Sequence, residues 1–78
     1  MRISEFFKTH DWCQNTGARD ATGKPVNLYD PSAVAWCVGG AAWKLGIELG
    51  AFDSWILYND EPETTKEHLI AELERNGY

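Results

Sequence analysis

The pattern of hydrophobic and polar positions changes along this chain from helical spacing to turn residues to an almost unbroken apolar run, and each change marks a different element. Ile3, Phe6, Phe7 and His10 fall on one face at helical spacing, with Ser4, Glu5, Lys8 and Asp11 turned away, which predicts a short amphipathic helix from Ile3 to about His10. The pattern then lapses into turn chemistry. Asn15, Gly17 and the run Asp20-Ala21-Thr22-Gly23 suit a type I turn closed by a left-handed glycine, so residues 17–28 are expected to form a small hairpin resting on a helix.

The next stretch, DPSAVAWCVGGAAW, is apolar almost throughout. Asp30 and Pro31 fit an N-cap and first position, and the expected helix runs over residues 31–45 to a stop at Gly46. On a wheel, Val34, Val38, Ala41 and Leu45 share one face with Cys37 at its edge, while Trp36 and Trp43 share the opposite face. A helix apolar all round is a buried one, and this one is expected to be the spine of the fold. After the break at Gly50, residues 51–57 fit a short helix and an extended segment equally well. The last element is better marked. Thr64-Thr65-Lys66-Glu67 reads as a capping box, Leu69, Ile70 and Leu73 give a narrow apolar seam, and Gly77 is the stop. The expected architecture is a single, mainly helical α+β domain, residues 1–78, with three or four helices around the central one.

Composition adds one constraint on size. A chain of 78 residues holds a core only just sufficient, and four Trp, three Tyr and three Phe supply the missing apolar bulk. The opening residues lack the apolar run of an export signal, and the longest apolar run, Ala33 to Trp43, is too short to span a bilayer. The expectation is therefore a cytoplasmic protein, or one of the host cytoplasm if phage-encoded. Charge is uneven. Residues 1–47 carry five basic and four acidic side chains, whereas residues 48–78 carry two and eight. That balance argues against direct nucleic-acid binding and fits a protein partner with a basic surface, to which Asp60, Glu61 and Glu63 would offer an acidic one. A homo-oligomer stays open.

Candidate chemistry is sparse. Cys37, read as two turns into its helix and among apolar neighbours, is expected to pack rather than react. Cys13 follows a helix end, three residues after His10, and a Cys13/His10 pair with Asn15 or Asp11 as orienter is the one catalytic arrangement available. Two Cys and two His match a zinc count, but no pair has ligand spacing. Arg19-Asp20 reads as a structural ion pair or a donor to buried backbone. Gly39-Gly40 lies within the predicted helix and so is no phosphate loop. No cofactor motif is present. The Trp36/Trp43 face would suit a partner or a stacked base if nothing covers it.

Three segments together, HDWCQNTGARDATGKPV, DPSAVAWCVGGA and YNDEPETTKEHL, resemble an uncharacterised domain family of small bacterial and phage proteins. They span about half the chain in the family's order, with Tyr58 where members usually carry Trp and a shorter stretch between the second and third segments. The resemblance implies an architecture and no chemistry. The leading expectation is a non-enzymatic protein-binding module, in its fullest form a phage-borne inhibitor of a host system acting through an acidic surface. The alternatives are a small-molecule or nucleotide binder that uses the aromatic face, with Arg19 or Lys44 on an anion, and a thiol enzyme that uses Cys13 and His10.

Overall fold

The computed structural model describes all of residues 1–78. Four helices, α1 (Ile3–Thr9), α2 (Val38–Leu45), α3 (Phe52–Asp60) and α4 (Lys66–Arg75), surround a four-stranded mixed sheet of β1 (Asp11–Trp12), β2 (Ala18–Asp20), β3 (Pro25–Val26) and β4 (Ala33–Trp36). Strand order is β1-β4-β2-β3, with β1 parallel to β4 and the other pairs antiparallel. The fold is α+β, as expected.

The first helix and the hairpin form where the sequence places them. His10 stacks flat on Phe6 at 4.0 Å between centroids, one turn apart on the buried face. The β2–β3 turn closes through Gly23 N–H donating to Asp20 O, with Gly23 at φ 85°, where a side chain would be strained. The hairpin is one arm of the sheet, however, not an isolated ribbon.

The expected helix over residues 31–45 is corrected to a strand followed by a shorter helix. Asp30 Oδ1 accepts from the Ser32 N–H and hydroxyl, a local turn that competes with helix capping. From Ala33 the chain is extended, and its backbone pairs with β1 on one side and β2 on the other, a ladder that satisfies the groups a helix would have bonded internally. A β-branched and an aromatic residue favour that choice, and an apolar run this short does not by its period distinguish helix from strand. There is accordingly no central helix. The core gathers Ile3, Phe6 and Phe7 of α1, Trp36 of β4, Val38, Ala41 and Ala42 of α2, and Leu69 and Leu73 of α4.

The undecided segment is helical, and α3 begins after Ala51, which adopts φ 52°. In α4 the cap is Thr65, whose Oγ1 accepts from His68 N–H at 3.2 Å. Thr64, expected in that role, instead donates its hydroxyl to Tyr58 O at 2.7 Å and ties α4 to the end of α3. Leu69 and Leu73 are fully buried, as their spacing requires.

Candidate functional site

The strand-to-helix junction at Cys37 is where the three segments of the chain meet. Cys13 N–H donates to Trp36 O at 3.0 Å, continuing the parallel β1–β4 ladder one step past the Trp12–Trp36 pair. The next rung would join Cys13 O to Val38 N–H, and a side chain takes its place. Asn59, at the end of α3 and 0% exposed, donates Nδ2–H to Cys13 O at 3.2 Å and accepts from Val38 N–H at 2.8 Å through Oδ1. Trp12 Nε1–H donates to the same Oδ1 at 2.6 Å, and the second Nδ2 hydrogen goes to Asp60 Oδ1 at 2.8 Å. Both donors and both lone pairs of the amide are therefore engaged. A side chain so fully engaged organises the fold and has nothing left for a ligand.

Around this amide the 13–17 loop is pinned to α3. Asp60 Oδ1 also accepts from Asn15 N–H, and Gln14 Nε2 donates to Asn59 O and Glu61 O. Asp60 is thus committed to loop geometry, while Glu61 and Glu63 remain exposed. Neither spacing nor charge distinguishes Asn59 or Gln14 within the segments that contain them, since polar residues there read as parts of solvated loops.

The two thiols lie buried at this junction, and neither is bonded to a general base. Cys37 is the N-cap of α2, not a mid-helix residue. Its Sγ accepts from Gly40 N–H at 3.3 Å. That backbone contact favours the thiolate, but burial outweighs it and pushes the thiol above its ordinary value. Packing is the role assigned from sequence, and it stands on different geometry. Burial also raises Cys13 to about 11, helped by the nearby Cys37 and opposed by Arg19, and its thiol points to Thr16 O at 3.6 Å. His10 makes no bond to it. The Nδ1 of His10 lies 2.9 Å from Phe6 O and 3.0 Å from Thr9 Oγ1. The Cys13/His10 pair is therefore not assembled as a nucleophile and its base.

The Trp36/Trp43 face does not exist as drawn from the helical wheel, because the two residues lie on different elements. Trp36 is buried on β4, edge-on to Phe6, with Lys44 Nζ 5.2 Å from its ring centroid. Trp43, on α2, is 50% exposed and meets the exposed Tyr29 edge-on at 4.3 Å. It rims a groove of about 350 Å³ between α2, α3 and the segment before β4. Leu28, Ile47, Phe52 and Ile56 form the walls and Cys37, Gly39 and Gly40 contribute to the floor, with no charged side chain in the lining. Arg19 lies elsewhere, donating to the exposed Gly23 O and the part-buried Gln14 O, so it serves turn and loop backbone and makes no ion pair with Asp20. No helix is long and apolar enough to cross a membrane. Comparison with protein-family models, curated proteins and solved structures returned no match.

Proposed function

We propose that this protein is a non-enzymatic binding module that receives an apolar side chain of a partner protein in the groove between α2 and α3. The observation that carries the reading is the clustering of half-exposed aromatics, Trp43 and Phe52, around an apolar hollow, with Tyr29 braced against Trp43. Exposed apolar surface gathered at a concavity is the usual form of an anchor site. Glu48 and Asp53, exposed chain neighbours of lining residues, stand in no ion pair, and with Glu61 and Glu63 they favour a partner segment with basic flanks. A phage-borne inhibitor working in the host cytoplasm is the fullest form of this reading, supported by the sequence resemblance and the acidic C-terminal third. Asp60 is left out of the contact surface, because its carboxylate holds the 13–17 loop.

A second reading draws on the volume of the same groove, which lies at the lower end of small-molecule sites. An uncharged aromatic compound fits its lining. A nucleotide does not, since neither Arg19 nor Lys44 lines it.

The test places a photo-reactive phenylalanine analogue at position 52 and, as control, at Glu67 on α4, in chains carrying either Trp43 or Trp43→Ala. A cross-linked partner obtained from position 52 only, and lost with Trp43→Ala while the helical spectrum is kept, supports the proposal. Equal cross-linking from both positions, or capture indifferent to Trp43→Ala, overturns it. Quenching of tryptophan emission by an uncharged aromatic, with no protein cross-linked, replaces it with the second reading.

A further inference from the structure

Cys13 and Cys37 are far apart in sequence and are neighbours across the parallel β1–β4 pair. The bridged positions are Asp11 with Ala35 and Trp12 with Trp36, so the next in register are the two cysteines. A direct ladder bond holds their backbones on one side, and a bridging amide holds them on the other. Cys13 N–H bonds Trp36 O, and Asn59 spans Cys13 O and Val38 N–H. Cys37, one residue past the end of β4, keeps extended angles, φ −81° and ψ 174°, before α2 begins. Adjacent strands lie about 4.8 Å apart and in-register side chains leave the same face. Disulfides join α carbons separated by roughly 4.4–6.8 Å.

We infer that Cys13 and Cys37 form a dithiol that closes to an intramolecular disulfide when a small-molecule disulfide is the oxidant. Both thiols are free in the structure and each is 7% exposed. Cys37 reacts first, because its sulfur sits at the start of α2 with Gly40 N–H directed at it, a contact that favours the thiolate and that Cys13 lacks. It gives up its proton to solvent, and its thiolate attacks one sulfur of the oxidant. That bond breaks, and the departing thiolate takes up a proton. Cys13 then loses its proton and attacks the Cys37 sulfur of the mixed disulfide, expelling the second small thiol. Two protein thiols are oxidised and one small disulfide is reduced to two thiols, with no other reactant. Closure requires Cys37 Sγ to turn away from Gly40 N–H and Cys13 Sγ from Thr16 O, each a single side-chain rotation.

The experiment incubates the folded full chain in oxidised and reduced glutathione at graded ratios, alkylates it, and reads the intact mass. The expected product is lighter by two hydrogens, resists alkylation, runs as a monomer without reductant and melts at a higher temperature. Cys13→Ser should instead retain one glutathione on Cys37 because nothing resolves it. Two glutathiones on the wild-type chain, a disulfide-linked dimer, or closure only in denaturant would each overturn the inference. So would two alkylatable thiols at the most oxidising ratio, with the native spectrum retained.

Discussion

At the scale of single residues, one amide does more than any charged group in this protein. Replacing Asn59 by Ala would strip partners from Val38 N–H, Cys13 O and Trp12 Nε1 together. Each buried polar group left unpaired costs about 1–3 kcal/mol, so Asn59→Ala should lower stability by about 4 kcal/mol in denaturant unfolding. Trp12→Phe removes only one donor and leaves Oδ1 still accepting from Val38, so about 1 kcal/mol is expected. Similar losses for the two variants would show that the amide does not act as the missing rung. By contrast, the surface ion pairs Lys8–Glu74 and Glu72–Arg75 join side chains that are a third or more exposed and should contribute little. Neither period nor charge singles out Asn59, because its importance comes from where α3 ends relative to β1 and β4. No local period encodes that relation. The residues carrying the resemblance do converge on it: Trp12, Cys13, Gln14 and Asn15 from the first segment, Cys37 and Val38 from the second, Asn59 and Asp60 from the third.

At the scale of elements, the two glycines of α2 set how closely it approaches its neighbours. A Cβ on Gly40 would collide with the backbone oxygen of Gly17 in the loop before β2, and with Leu28 at 2.9 Å. A Cβ on Gly39 would meet only side-chain atoms of α3 residues, Ile56 Cδ1 at 2.8 Å and Phe52 Cζ at 2.9 Å. Phe52 is half-exposed and can move; the Gly17 carbonyl cannot, because it accepts from Cys37 N–H. Gly40→Ala should therefore cost about 3 kcal/mol through overpacking, while Gly39→Ala should cost about 1 kcal/mol or less, the gain in helix propensity offsetting a small shift of Phe52. Thermal unfolding of the two variants reads the difference, and equal midpoints would refute the assignment. The first helix α1, the hairpin turn and the apolar seam of α4 are legible in the sequence. The division of Ala33–Leu45 into strand and helix is not, for both halves are apolar and the residues that would mark the boundary, Cys37 and the glycines, also fit a buried helix. That one misreading carries the rest with it. It joins Trp36 to Trp43, hides the groove that Trp43 borders, and sets Cys37 too far from a helix end.

At the scale of the whole molecule, stability should follow pH asymmetrically. Asp20 and Asp30 are held below the ordinary carboxylate value, Asp20 chiefly by the Thr22 hydroxyl and Asp30 chiefly by Ser32 N–H. A depressed folded value adds stability above the unfolded value that is lost as pH falls through the folded one, but both side chains stand in solvent, so the acid limb should be shallow. The thiols act in the opposite direction. Cys13 titrates at about 11 in the folded chain against 9.0 unfolded, and Cys37 is also raised, both mainly by burial. Below pH 9 both states hold these protons and nothing changes. Between pH 9 and 11 the unfolded chain releases the Cys13 proton while the folded chain keeps it, so stability declines on the order of 1 kcal/mol from this group alone. Tyrosines and lysines ionise over the same range, and the slope of the wild-type protein therefore does not isolate the thiol. Cys13→Ser does, because serine binds no proton there while its hydroxyl still reaches towards Thr16 O. Unfolding midpoints measured under reducing conditions should fall less steeply for Cys13→Ser than for wild type above pH 9, whatever their offset at neutral pH. Parallel slopes would mean that the thiol ionises as readily in the folded chain as in the unfolded one, and that the junction of β1, β4 and α2 is open to water.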